Sequence, residues 1–393
     1  MPTRSVMVIG AGLAGAALAR ALAERQWDVL LIDEASGPAA RASALPVGML
    51  SPHQTRTPTP MSRLTELGVA RMRQALPQLL PQGCGWQDTE IDNLGHAPGH
   101  WPAAMVRPSA LVQAWLEAAA RTGRCRTRWN SRVHRITHEN GHWQAFAEDG
   151  GSLGEADHVV FAAAWGSTAL LNRSLGFDPQ ILPLRPVKGQ LSFGPWAGVP
   201  LAERPCRDNG VYIPLYEDSA APPGVPARLW AMGSTYDRGR SDTVVEPAAH
   251  ERNLQSLRAL RPEAAEHMAR AMAEGTLLGW SDVRCASLDR LPLLGTLPDL
   301  AALRRQLDDA GHRRGSVPLG QCPRLPGAHI FAALGSRGLS LALAGAEWLA
   351  DHLDTGAMPL PDDLARAVDP ARFAWRQWRR QGGTAPQPDQ AIA

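Results

Sequence analysis

The sequence predicts a two-lobed α/β fold: a Rossmann-like parallel sheet and a second lobe built on mixed sheet. Three observations carry this. A strand, a glycine turn, a helix and a second strand open the chain from Ser5, and a strand, glycine turn and long helix recur from His329. Between them lie runs rich in aromatic and β-branched residues, such as "GVYIPLYE" and "ARLWAMGSTY". At 393 residues, 44% hydrophobic and 20% charged, the chain is long enough for two lobes with cores of their own.

The opening element is the most informative. In "SVMVIGAGLAGAALARALAERQWDVLLIDEA" an apolar strand runs into Gly10, Gly12 and Gly15, spaced G-x-G-x-x-G, and a helix begins at Leu13 and Ala14. The next strand ends at Asp33, 23 residues after Gly10. Gly10 makes the tight turn, Gly12 lets a pyrophosphate approach the helix N-terminus, and Gly15 lets helix and strand pack closely. Asp33 is placed to hold ribose hydroxyls. Turn, flanking elements and acid together predict dinucleotide binding, without separating a flavin from a nicotinamide.

Later stretches make that separation. "DHVVFAAAWGS" reads as a buried strand breaking at Ala163 and Gly166, where the carboxyl ends of a sheet face a ligand. In "HIFAALGSRGLSLALAGAEWLADHL" a helix opens behind Gly335, Ser336, Arg337, Gly338 and Leu339. Its N-terminal amides can stabilise negative charge on a reduced flavin ring, which favours FAD. The small-residue segment "ASALPVGMLSPH", with Ala42, Ser43, Gly48 and Met49, is suited to pass along an isoalloxazine face.

Other classes drop out. The apolar run at the start is too short for a signal peptide and no later run is long enough to span a membrane, so a cytoplasmic protein is expected. Cys84, Cys125, Cys206, Cys285 and Cys322 are odd in number and scattered, which predicts neither a disulfide framework nor a metal site. Net charge is only +2. Of the 40 basic residues Lys188 alone is lysine, so arginine abundance by itself says little. Two segments still interleave arginine with tryptophan as RNA-binding surfaces do, "RTGRCRTRWNSRVHR" (121–135) and "RFAWRQWRR" (372–380). A solvated helix end and a packing helix explain them equally simply.

"VRCASLDRLPLLG" sets Arg284 and Asp289 against apolar strand-like sequence. A buried guanidinium needs an anion, either a neighbouring carboxylate, Asp282 or Asp289, or a ligand. Tyr236 is a candidate second contact from the other lobe.

The segments "RPVKGQLSF", "GSTYDRG", "VRCASLDRLPLLGTLPD", "GSRGLSLALAGAEWLA" and "DPARFAWRQWRR" resemble the D-amino-acid-oxidase superfamily of FAD-dependent amine oxidases. Within it they are most similar to the oxidase domain of the MnmC family of bifunctional tRNA-modifying proteins. The resemblance implies a D-amino-acid-oxidase-type fold, FAD as cofactor, and Arg284 clamping the carboxylate of an amine substrate, with Tyr236 and Asp289 beside it. It extends the cofactor set to Glu34 and Val133. Some members attach flavin through a cysteine near Cys285. The substrate implied is the carboxymethylaminomethyl group of a wobble uridine in tRNA, cleaved to aminomethyl-uridine and glyoxylate; a free amino acid such as glycine, sarcosine or a D-amino acid is the alternative. "RASALPVGML" departs from the family's flavin-facing segment in lacking its asparagine, and the methyltransferase half of the bifunctional proteins is expected to be absent.

The lobes are expected to interleave. The FAD-binding lobe takes 1–82, 100–182 and 325–380 and the substrate lobe 83–99 and 183–300, with a surface insertion at 301–324 and a disordered tail at 381–393.

Overall fold

The computed structural model describes residues 4–380 apart from 96, 197 and 200; the tail expected at 381–393 lies outside the described residues. Six strands form the first sheet, in the order Leu293–Pro298, Arg324–Ala332, His158–Phe161, Ser5–Ile9, Asp28–Ile32, Cys125–Arg128. All neighbours are parallel except the first pair, which is antiparallel. The central strand "SVMVI" is almost wholly apolar because both its faces are covered, as parallel sheets require. On one face Val6 and Val8 join a core built with the helices Leu13–Glu24, Pro108–Arg121 and Gly338–Thr355. On the other, Met7 and Ile9 pack against a three-stranded sheet, Arg135–Glu139, His142–Phe146 and Ser152–Ala156.

The second sheet has nine strands. Eight follow the order Asp237–Arg238, Leu184–Pro195, Arg228–Gly233, Gly210–Glu217, Cys206–Asp208, Trp86–Asn93, Gly99–Val106, Gly48–Leu50. The ninth, Leu278–Ser287, runs antiparallel along Leu184–Pro195 from Leu184 opposite Ser287 to Phe193 opposite Leu278. Helices Pro247–Leu260 and Pro262–Ala273 cover one face through Leu254, Leu257 and Met268 against Tyr212, Trp230 and Met232. The other face carries Val47, Leu191, Phe193 and Ile213.

Two places differ from the lobe boundaries read in the sequence. Gly48–Leu50 and all of Gly99–Val106 hydrogen-bond within the second sheet, because Trp86–Asn93 and Gly99–Val106 form one hairpin that cannot be divided. Leu293–Pro298 pairs instead with Arg324–Ala332 in the first sheet. The segment read as a surface insertion contains the helix Leu300–Asp309, whose Leu303 and Leu307 pack with Ala374 and Trp378 of the terminal helix Arg372–Arg380. Among the described residues no helix is long and apolar enough to cross a membrane, and no group of side chains is arranged to hold a metal ion.

Candidate active site

The carboxyl ends of the first sheet and the inner face of the second enclose a cavity of about 540 Å³. Its floor is the glycine turn. Gly10 holds φ at +109°, and a Cβ there would lie 2.7 Å from the Cα of Ala163, so only glycine fits. At Gly15 a Cβ would overlap the Gly10 carbonyl, which locks helix to strand. Gly12 differs: a Cβ there would meet only Ser43 Oγ, at 3.1 Å, so the turn stays open toward the cavity. Asp33 closes the second strand with its carboxylate fixed by the Ala11 and Ala35 amides, at 2.6 and 2.8 Å.

Two long helices, Leu13–Glu24 and Gly338–Thr355, start at this cavity, and neither has an acidic residue in its first turn. Such ends attract anions through unpaired amides and the helix dipole. Together with the open Gly12, they are the donors a pyrophosphate and an electron-rich flavin ring need. The residues present therefore fit FAD, with Gly12, Leu13, Ala14 and Ser43 toward the pyrophosphate and Gly335–Leu339 toward the ring.

At the opposite end lies Arg284, in the middle of the long antiparallel ladder. Its guanidinium rests over Gly189, where any Cβ would overlap it. It donates to the Thr235 carbonyl at 3.3 Å and to Ser234 Oγ, and it stands 5.9 Å from the ring of Tyr236. Burial pulls its pKa down, while Tyr236 and Asp237 push it back up. Among the described residues no carboxylate pairs with it. Asp282 instead accepts from the Val283 amide and lies 3.7 Å from Arg41, so neither neighbouring acid answers the buried charge.

A second cationic group lines the cavity. Arg337 donates to His53 Nδ1 at 2.8 Å, and Arg207 donates to Asn93 Oδ1, Ser51 Oγ and the Pro52 carbonyl. Burial, then Arg337, Arg207 and Arg290, lowers the His53 pKa to about 4, so the ring is neutral and accepts at Nδ1. Cys285 also lines the cavity; burial pushes its thiol up to about 12. It stays protonated at neutral pH and is a poor nucleophile for covalent flavin attachment.

Residues 5–100 and 89–352 match the model of the DAO family, "FAD dependent oxidoreductase". The chain belongs to this family. The FAD-dependent oxidoreductase is 32% identical to the tRNA 5-methylaminomethyl-2-thiouridine biosynthesis bifunctional protein MnmC of Albidiferax ferrireducens, over 95% of this chain and 59% of that protein. It is 33% identical to the MnmC of Paracidovorax citrulli, over 94% and 60%. The chain thus spans about 60% of the length of these relatives. In fold it is similar to glycine oxidase from Geobacillus kaustophilus, with a TM-score of 0.67 at 18% identity, covering 93% of this chain and 98% of that one.

In the oxidoreductase the residues singled out from sequence divide into groups. Gly12, Leu13, Ala14, Ala42, Ser43, Gly48, Met49, Tyr236, Arg284 and Gly335–Leu339 all line the cavity. Gly10, Gly15, Ala163 and Asp33 support its floor. Gly166 lies outside it, starting the helix Ser167–Leu175. Val133 packs against the core beneath the first sheet, and Glu34 faces Arg132 at 3.4 Å. Asp289 is the clear correction. It is not in the cavity: its carboxylate is held by the buried Arg372 through bonds of 2.9 and 3.0 Å and by Ser287 Oγ at 2.9 Å. Burial pushes its pKa up, but the Arg372 hydrogen bonds and charge outweigh this and hold it below the usual carboxylate range. Lys188, the lone lysine, is likewise fully buried and structural, with Asp242 at 2.6 Å and Glu246 at 3.2 Å.

Sequence reasoning missed Arg207, Asn93 and Gly189. Gly189 left a readable signal, a glycine inside a strand, which often marks a close approach. Arg207 and Asn93 left none, since only the tertiary fold brings them together.

Proposed function

We propose that this oxidoreductase oxidises a secondary amine that carries a carboxylate, most specifically the carboxymethylaminomethyl group of a tRNA wobble uridine, giving the aminomethyl group and glyoxylate. The carrying observation is Arg284, a guanidinium buried in a cofactor-sized cavity without a carboxylate partner. The carboxylate that acts on it from a distance, Asp237, is itself gripped by Arg252, which leaves the guanidinium open to a ligand anion. A planar guanidinium grips a carboxylate through two parallel hydrogen bonds and fixes the adjacent carbon in space. Bound FAD supplies the acceptor for a hydride from that carbon. The chain's own contribution is positional. Gly189 gives the guanidinium room to lie flat, Ser234 and Thr235 fix its direction, and Tyr236 stands at the rim. The imine that results is hydrolysed by water, with no side-chain nucleophile needed.

The wobble-uridine substrate is supported by the relatives' name and their similarity along 94–95% of this chain. The alternative, a free amino acid, is supported by the likeness in fold to a glycine oxidase. Anaerobic bleaching of the flavin separates them. Hypomodified tRNA is expected to bleach the enzyme at low concentration, and glycine, sarcosine and D-alanine only at high concentration. Efficient bleaching by a free amino acid with none by tRNA overturns the tRNA reading.

A further inference from the structure

Two exposed arginines, to which no described carboxylate is paired, adjoin the cavity wall: Arg238 stands beside Tyr236, and Arg290 lies on the turn that follows Ala286, which bridges to Leu334 of the lining. Arg238 lies 5.9 Å from the Tyr236 ring, whose other cationic neighbour is Arg284 at the same distance. Its place is preset, because Asp237–Arg238 pairs with Val187 and Lys188 of the neighbouring strand. The adjacent Asp237 is already gripped by Arg252 at 2.5 and 2.7 Å, so it does not neutralise Arg238. Nearby Arg240, by contrast, holds Asp242 and Glu246, each within 3 Å.

Arg290 sits in the turn between Ser287 and Leu291 in a left-handed backbone conformation, φ +65°, which a residue with a side chain adopts at a cost. The conformation is enforced from below. Asp289 accepts from the Leu291 amide, and Arg372 holds both that carboxylate and the Leu291 carbonyl. The anchor leaves the Arg290 side chain exposed on a turn joined to the cavity wall through the Ala286–Leu334 bridge, and its charge adds slightly to those that oppose protonation of His53. Among the side chains lining the cavity itself, Arg207, Arg284 and Arg337 face one exposed carboxylate, Asp208. The terminal arginine and tryptophan segment does not offer a comparable surface. Trp375 donates to the Val317 carbonyl with Arg379 stacked on it at 4.2 Å, Trp378 is buried, and Arg376 turns toward Asp289. Trp129, in the other segment, packs against the core.

We propose that Arg238 and Arg290 receive the phosphates flanking the reacting nucleotide, so that an RNA strand crosses the mouth while its modified base reaches inward to Arg284. This rests on the tRNA reading above. Two exposed guanidiniums without a paired carboxylate, on backbone held in place by the sheet and the turn, suit phosphodiesters, whose oxygens they hold through charge and paired donors.

The test compares Arg238→Ala, Arg290→Ala and the double variant with wild type as FAD-loaded enzymes. Two probes are used, hypomodified tRNA and the phosphate-free nucleoside 5-carboxymethylaminomethyluridine. Each substitution is expected to weaken tRNA binding about fivefold at 0.15 M salt and to lower the slope of log affinity against log salt by about 0.7 to 0.9. Bleaching by the nucleoside stays unchanged, which also verifies the fold, and Arg238→Lys keeps the slope because it keeps the charge. Wild type bleached by tRNA, with variants that retain the full salt slope, overturns this inference and leaves the substrate reading intact. Variants that lose nucleoside bleaching as strongly as tRNA bleaching overturn it too, by placing the arginines' effect inside the cavity. Wild type that tRNA fails to bleach overturns the substrate reading and this inference together.

Discussion

Arg372 is fully buried and Arg284 half-buried in the cavity wall, and their surroundings treat them in opposite ways. Around Arg372 the chain supplies a full set of acceptors: both Asp289 oxygens and the Asp369 and Leu291 carbonyls, all within 3.1 Å. Around Arg284 it supplies one carbonyl at 3.3 Å and one hydroxyl, and no carboxylate. The first arrangement joins the terminal helix to the turn after the Leu278–Ser287 strand. The second leaves a charge without a paired carboxylate, which is what the proposed role of Arg284 rests on. Burial alone therefore does not single out an arginine for a site; the lack of a partner does.

The largest expected effect sharpens that contrast. Arg284→Ala should slow flavin reduction by a carboxylated amine about 30- to 5,000-fold, the range that corresponds to about 2 to 5 kcal/mol for truncating one side of a charge pair, with the flavin spectrum retained. Stopped-flow reduction measures it, and Arg284→Lys should recover little because the two-pronged geometry is gone. Thermal unfolding of Arg284→Ala should occur no earlier than in wild type, since an unpaired buried charge is removed.

Arg372→Ala should do the reverse. It strands Asp289 and is expected to cost about 3 to 5 kcal/mol of stability in urea unfolding. Surviving folded enzyme should keep most of its rate of flavin reduction. Unchanged stability with a collapsed rate would break the comparison by moving Arg372 into the active site.

Next in size is Gly189→Ala. A methyl group there must displace the Arg284 guanidinium; overpacking of this kind costs about 1 to 3 kcal/mol of stability, and the displaced guanidinium should slow flavin reduction by less than Arg284→Ala does. The loss should appear with carboxylated substrates while FAD affinity holds. An unaffected rate would mean that the guanidinium does not need to lie flat on the strand.

The smallest effect concerns buried groups that avoid charge altogether. His158, His329 and Thr296 form a hydrogen-bonded chain with His352, at 3.0, 3.1 and 2.9 Å. Burial lowers the pKa of all three histidines below 6.5. The folded protein then binds fewer protons than the unfolded chain below that pH, so this contribution is complete above 6.5 and drains away as pH falls toward the folded values. Urea midpoints should decline steadily from pH 7 to 5. A flat profile would remove the histidine chain from the account.

Much of the cofactor end could be read directly because it is local in sequence: the glycine turn, Asp33 and the Gly335–Leu339 turn each lie within one short stretch. Arg284 was legible for a different reason, a charge set in apolar sequence. The misassignment of Asp289 shows the limit of that signal, since its partner Arg372 is 83 residues away and nothing local distinguishes a carboxylate facing a ligand from one facing an arginine. Arg207 and Asn93 meet across 114 residues, and were missed for the same reason. The arginine and tryptophan pattern of the terminal helix was ambiguous because amphipathic packing and RNA binding draw on the same residues.

The ladder that carries Arg284 has a further consequence. Its strand is zipped to Leu184–Pro195 from Leu184 to Phe193, with Arg284 inside that span, so the backbone beneath the guanidinium cannot shift without tearing the sheet apart. An anion receptor at Arg284, as proposed, would be as durable as the fold itself. Adaptation to a longer or bulkier substrate would then be channelled away from Arg284 and into the loops around the cavity, where an insertion or an exchanged side chain leaves it untouched.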